Sequence, residues 1–375
     1  MSREILFYSD FPFGYHNPEA EERMRRFATR GYDVHYVEQL GIRNPRPRHL
    51  LRMLRRVRRS HEAFNPPFEV ISPKLLAPRH KPVIRELNQR WLARQLLDRL
   101  RDPRGAIFWV RYPTPELVPL IERTLPALVI YECVDDHEGS PGMTDRLRRL
   151  LGAAERRILA TAGLVLASSE PIRARLAVLH PKVLRFPAAA VDMAAFAAPS
   201  RDADTSPVAL YAGHADFRFD ADLMADVARH LPEWTFVVTG PASREVRRRL
   251  DRCSNVRLTG SRPAAEIPGL LAGARVCLLP YRTGSFSDSL FPVKLVEYLA
   301  AGRPVVGVPM SALEEFSDVV AVAGQPGDFA AAIVDAAARD SAETQSLRRE
   351  RVRSFDWDRR IDEMEEAIQG ALAHD

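Results

Sequence analysis

Two short apolar runs bracket an amphipathic stretch at the start of the chain. EILFYS spans 4–9, a helical pattern runs from about Pro18 to Arg30, Gly31 closes it, and YDVHYVE follows at 32–38. Strand-length runs that are apolar throughout and alternate with helical periodicity predict a parallel sheet covered on both faces. AIFWVRYP (106–113), ALVIYECVDDH (127–137) and GLVLASS (163–169) continue the series. The pattern lapses over 197–207, an exposed connection rich in Ala, Pro, Ser and Asp. It restarts at Val208 with VALYAGH, the loop ADFRFDAD, a helix to His230 and the strand WTFVVTGP. Two β-α-β openings in one chain predict two Rossmann-like domains.

Within the second half, SDSLFPVKLVEYLAAGRPVVGVP (287–309) reads as loop, helix, turn and buried strand. Ser287 and Ser289 are candidate caps, and Pro292 stands near the first helical position of a helix expected to begin near Leu290 or Phe291. Its free backbone N–H groups and the positive end of its dipole, with Lys294 in the first turn, form an anion site. Glu297 lies three residues further, on the same face. A cation at the helix mouth and a carboxylate one turn deeper suit a nucleotide diphosphate, with the ribose diol donating to Glu297. Most helices with such ends bind nothing, so the segment needs its context.

Loops after strands supply the other candidates. Gly14 allows close backbone approach after the first strand, with Tyr15 and His16 beside it as acceptor contacts, or as an ordinary connection with an exposed His. Arg111 ends the strand at 106–113 and is a further acceptor candidate. Asp135, Asp136 and His137 follow the strand at 127–137, where a general base would stand; Asp capping the next turn is the structural alternative. Their spacing is not that of a DxD metal element, and no metal ligand set is assigned.

Composition narrows the class. Apolar content of 46% and charged content of 27% over 375 residues fit two globular domains, not a disordered chain. No run reaches the length of a membrane span and the first residues lack a signal-peptide pattern, so a cytoplasmic location is expected. Cys133, Cys253 and Cys277 are widely spaced in apolar contexts and are expected to be reduced thiols. The net charge of +5 hides an asymmetry: residues 1–190 carry 33 Lys and Arg against 21 Asp and Glu, and the remainder carries 21 against 28. A basic first half expects an anionic partner. Basic amphipathic segments at 43–59 and 81–101, the second bearing Trp91, Leu92, Leu96 and Leu97, suit either an anionic lipid surface or a solvated outer helix face. Nucleic acid fits the charge, but no zinc pattern, RNP motif or helix-turn-helix signature accompanies it, so no nucleic-acid partner is expected.

The string PVKLVEYLAAGRPVV resembles the donor-binding segment of GT-B glycosyltransferases, in particular the large retaining group 1 family with its Glu-x7-Glu motif. Glu297 matches the second Glu, whereas Ser289 stands where the first, sugar-facing Glu is expected. LVLASSEPIRARL resembles the strand and helix closing the first GT-B domain. LRFPAAAVDMAAF resembles the following linker, with Ala189 and Ala190 replacing its usual Asn-Gly. The resemblance implies an α/β GT-B fold of two Rossmann-like domains facing across a cleft: an acceptor domain at 1–190, a donor domain at 191–355 and a terminal helix at 356–375 packing back toward the first. It further implies donor contacts at Gly213, His214, Arg218, Arg262, Tyr281, Ser287, Asp288, Ser289, Leu290, Phe291, Lys294 and Glu297. The implied activity is metal-independent sugar transfer without a cofactor from a nucleotide sugar, UDP-sugar ahead of GDP- or TDP-sugar. The implied acceptor is a lipid-linked saccharide or other glycoconjugate, at the inner face of the cell membrane. A soluble natural-product acceptor, a sugar-nucleotide 2-epimerase of the same fold and a catalytically silent partner subunit remain as rivals.

Overall fold

A computed structural model describes residues 3–14, 18–38, 66–76, 81–137, 139, 143–196 and 207–373. The basic segment at 43–59, Tyr15, His16 and most of the 197–207 connection lie outside the described residues. The chain divides into two units, one formed by Met1–Ala188 with Ile361–Asp375 and the other by Ala189–Arg360.

The first unit is a seven-stranded parallel sheet. Its strands are β1 (Glu4–Tyr8), β2 (Asp33–Val37), β3 (Glu69–Ile71), β4 (Ile107–Val110), β5 (Leu128–Cys133), β6 (Leu164–Ala167) and β7 (Val183–Arg185), in the order β3-β2-β1-β4-β5-β6-β7. β1, β4, β5 and β6 are buried along their whole length, which is why they read as continuous apolar runs instead of alternating ones. Each side chain fully withdrawn in this way, such as Phe108, contributes about 1.5–3 kcal/mol. Helices follow the strands where the sequence supplies a cap: Thr144 accepts from the N–H of Leu147, and Ser169 from that of Ile172. The helix expected over 81–101 is observed at Pro82–Leu97, with Leu92 and Leu96 buried but Trp91 exposed.

The second unit repeats the plan with six parallel strands. They are β8 (Val208–Ala212), β9 (Thr235–Thr239), β10 (Val256–Gly260), β11 (Val276–Leu279), β12 (Val305–Gly307) and β13 (Val320–Val322), in the order β10-β9-β8-β11-β12-β13. Asp220 caps the helix Ala221–His230 by accepting from the N–H groups of Asp222 and Leu223. Each sheet reverses its winding once, between β1 and β4 in the first and between β8 and β11 in the second. Parallel open sheets bind ligands beyond the strand ends at such a switch. The chain re-enters the first unit through the helix Trp357–Leu372, where Arg30 pairs with Asp362 at 2.6 Å and Glu365 at 2.5 Å. Cys133 and Cys277 are buried and Cys253 half-buried, all three as free thiols.

Candidate functional site

At the switch of the second sheet, β8 ends in Tyr211 and Ala212 and β11 leads into Tyr281. The segment after it forms two helices, Ser285–Asp288 and Val293–Ala300. The second begins at Val293, with Pro292 as its N-cap, and not at Leu290 or Phe291. The physical reason is local. Ser289 donates its hydroxyl to the Phe286 carbonyl at 2.7 Å and so finishes the preceding turn, while Asp288 accepts from the Ser311 N–H at 2.7 Å, at the start of the helix Ser311–Glu314. Ser287 and Ser289 are therefore not caps of the main helix, whose N-terminus carries no side-chain cap. Leu290 is buried, and Phe291 stacks on Phe355 with ring centroids 5.7 Å apart.

Lys294 sits in the first turn of that uncapped helix, half-buried. Its Nζ donates to the Tyr281 hydroxyl at 2.8 Å and lies 5.3 Å from the ring centres of both Tyr211 and Tyr281. Burial works against the ammonium, yet the two tyrosines and the hydrogen bond outweigh it, raising its affinity for the proton. Glu297 is half-buried one turn on; burial pushes its carboxyl up while Lys294 pulls it down. The hydroxyl of Tyr298, from the buried side of the helix, accepts from the Ala212 N–H at 2.8 Å and so fixes the helix to the end of β8.

Two glycines make room for this packing. A Cβ on Gly213 would stand 2.4 Å from Lys294 Cε, so the lysine stem lies directly against this backbone. Gly240, after β9, is not among the residues expected from the sequence; its φ is +125°, and a Cβ there would stand 2.1 Å from the Gly213 carbonyl oxygen. The signal was present, since TGP at 239–241 follows a strand end. Gly240→Ala is expected to cost on the order of 3 kcal/mol by overpacking rigid backbone in a strained conformation, read as a lowered urea midpoint. An unchanged midpoint would refute the close approach.

The remaining donor candidates differ in standing. Arg218 is held by Asp216 through two hydrogen bonds, at 3.0 and 2.7 Å. The His214 carbonyl accepts from the Tyr211 hydroxyl at 2.9 Å, which fixes the backbone beside Gly213. Arg262 is exposed, with Glu266 at 3.8 Å as a loose partner.

The first sheet has its own cluster at the switch between β1 and β4. Arg111, expected at an acceptor site, is 1% exposed and stands among carboxylates: Asp10 at 3.6 Å, Glu19 at 3.2 Å and Glu132 at 3.6 Å. It is an interior charge, because a guanidinium at this depth needs the carboxylates around it. Arg23 also pairs with Glu132 at 2.8 Å and with Glu19, and the Trp109 indole N–H donates to Glu132 at 2.8 Å. These cations hold the fully buried Glu132 below the usual glutamate range against the opposing effect of burial.

Asp10, the second residue beyond β1, reads in the sequence as plain loop. Burial pushes its carboxyl up; Arg111 and His137 pull it down, and Asp135 adds to the rise. Asp10, Asp135 and His137 thus share one electrostatic neighbourhood at the strand ends. His137 donates from Nε2 to the Arg111 carbonyl at 3.2 Å and packs edge-on against Tyr112, leaving Nδ1 as its acceptor nitrogen. Asp136 accepts from the Gly139 N–H at 3.0 Å, the turn-closing role that is the alternative to catalysis. Gly14 donates its N–H to Glu21 at 2.6 Å, which anchors the loop after β1.

Comparison with known proteins agrees with this fold. Residues 206–339 match the family model described as glycosyl transferases group 1. A Bacillus subtilis protein named as teichuronic acid biosynthesis glycosyltransferase TuaH is 31% identical over 148 residues, an alignment spanning 37% of this chain and 37% of that relative. Among solved structures, sucrose-phosphate synthase from Thermosynechococcus elongatus superposes with a TM-score of 0.73 at 15% identity over 99% of this chain and 100% of that one. HepE from Anabaena in complex with UDP gives 0.68 at 15% identity over 99% and 100%. With the two parallel sheets described above, the solved structures show that the chain has the GT-B fold, and its residues 206–339 match the group 1 glycosyltransferase model.

Proposed function

We propose that the protein transfers a sugar from a nucleotide diphosphate sugar, UDP-sugar foremost, to a hydroxyl of a lipid-linked saccharide or other glycoconjugate. The observation that carries this reading is Lys294 in the first turn of an uncapped helix, packed against Gly213 at the switch of the second sheet. The free N–H groups of that turn and the Lys294 ammonium hold the diphosphate and stabilise it as it leaves, and Glu297 accepts from the ribose. This charge is supplied by the chain, so the transfer step runs without a metal. In the first unit Asp135 and the Nδ1 of His137 are the groups left to meet an acceptor hydroxyl, since Asp136 serves its turn. HepE has been solved with UDP and with UDP-glucose, which supports uracil as the base and glucose as a first sugar to try.

The test is a thermal-shift series with UDP-, GDP- and TDP-sugars followed by product analysis with and without saccharide acceptors. UDP-sugar is expected to raise the unfolding midpoint by mass action, and glycosylated acceptor to appear only when acceptor is supplied. Product from the donor alone would mark an epimerase, and nucleotide binding without turnover a silent subunit.

A membrane-bound acceptor is supported by the helix Pro82–Leu97. Val83, Leu87 and Trp91, four residues apart, are 70%, 46% and 41% exposed, with Arg90 and Arg94 beside them. Among the described residues no helix is long and apolar enough to cross a membrane, so this stripe would lie on the surface with its arginines at the headgroups. The protein is expected to pellet with phosphatidylglycerol vesicles at low salt, and Trp91→Ala to weaken that binding several-fold; no sedimentation at low salt would favour a soluble acceptor.

A further inference from the structure

The amino-terminal edge of the first sheet, opposite the strand ends that carry Asp10 and Asp135, holds a second cluster of chemically capable groups. Glu4 opens β1, Asp33 opens β2 and Glu69 opens β3, and the register pairs Glu4 with Asp33 and His35 with Glu69. His35 is 6% exposed and Glu4 5%. Its Nδ1 lies 3.1 Å from Glu69 Oε2, and because that oxygen only accepts, Nδ1 carries the proton. Nε2 then turns its lone pair toward Glu4 Oε1 at 3.4 Å and Asp33 Oδ1 at 3.9 Å. It has no hydrogen-bond partner.

A buried imidazole lone pair facing two carboxylate oxygens is repulsive unless positive charge stands between them. A proton on Nε2 answers this poorly, because 3.4 Å to Glu4 and 3.9 Å to Asp33 are longer than a well-formed N–H···O bond. A shared cation answers it well. Two ligands each about 2.1 Å from a tetrahedral ion are about 3.4 Å apart, the separation found between His35 and Glu4. The three ligand atoms all lie within 4.8 Å of one another. Glu69 adds the carboxylate that commonly orients a metal-binding histidine through its other nitrogen. The backbone N–H groups of Arg101 and Asp102 donate to Glu4 at 2.9 and 3.2 Å, holding its carboxylate in place. Arg101 reaches Asp33 Oδ2 at 3.2 Å and leaves Oδ1 toward the cluster.

We propose that Glu4, Asp33 and His35 form a site for a divalent transition metal, zinc first among them. Water completes the coordination on the open side, where Asp33 is half-exposed. The ligand set of one imidazole and two carboxylates suits zinc over magnesium, which prefers oxygen alone. At the far end of the sheet from Asp135 and His137, the ion acts as a clamp across β1 and β2 and takes no part in sugar transfer.

The full-length protein, freed of metal by a chelator and dialysed, is titrated with zinc chloride alone and separately with cobalt chloride. One saturable equivalent of zinc and a rise in unfolding midpoint are expected, absent with magnesium. Cobalt should give visible absorption bands of a bound low-symmetry ion. Asp33→Asn should weaken zinc binding at least about tenfold and His35→Gln should abolish the cobalt bands. The half-exposed Asp33 site keeps the test usable if the buried His35 variant fails to fold. Stabilisation by UDP should be unchanged in Asp33→Asn, which separates this site from the proposed donor site. No saturable equivalent, or equal zinc binding by wild type and Asp33→Asn, would overturn the proposal.

Discussion

Replacing Lys294 with alanine is expected to lower sugar transfer by about 10²–10³-fold, the usual loss when one fixed donor to a developing anion is removed. The effect should fall on turnover, because the charge on the leaving diphosphate grows as the bond to the sugar breaks. Release of UDP from UDP-glucose in the presence of saccharide acceptor is the assay. Lys294→Met keeps most of the stem that packs against Gly213 and tests the charge with less disturbance of the packing. Wild-type turnover in both variants would remove the lysine from the site. Turnover lost together with the fold, seen by circular dichroism, would make its contact with Tyr211 and Tyr281 structural.

The largest expected effect on stability comes from Glu132→Ala. Arg23 and Arg111 would lose a shared counter-charge in a site closed to water, and the Trp109 N–H would lose its acceptor. Removing one member of such a buried set costs about 3–5 kcal/mol, which denaturant unfolding would resolve. The pH dependence gives a second readout. Because the folded state holds Glu132 below the usual glutamate range, its contribution is complete above about pH 4.5 and is lost as pH falls through the lowered folded value. Glu132→Gln should therefore show a shallower acid loss than wild type. Equal acid slopes would mean that other carboxylates carry the dependence.

Much of the architecture was legible because parallel strands buried on both faces leave a conspicuous mark. IFWV at 107–110 and VCLL at 276–279 admit few other readings, and the restart near Val208 announced a second sheet. The placement of Lys294 in the first turn of a helix and Glu297 one turn on was legible too, as their spacing survives a small error in the helix start. The helix starts later than the sequence suggests, because Ser289 spends its hydroxyl on its own short turn and Asp288 its carboxylate on Ser311. Arg111 and Asp10 were exchanged in importance. A strand-end arginine looks like a ligand contact until Glu19 and Glu132 arrive from elements far away in sequence, and an aspartate in a Pro- and Gly-containing loop looks like punctuation until the same fold buries it beside Asp135. Such long-range charge pairing leaves no local periodicity to read.

The route of the final helix bears on how the protein is made. Arg30 finds its partners Asp362 and Glu365 more than three hundred residues later, yet all three belong to the same unit. On a ribosome working from the amino terminus, that unit waits through synthesis of the intervening unit before it can close. Residues 1–190 expressed alone should therefore be a sticky and incomplete body. A tag or truncation at the carboxy terminus would disturb the domain that was translated first.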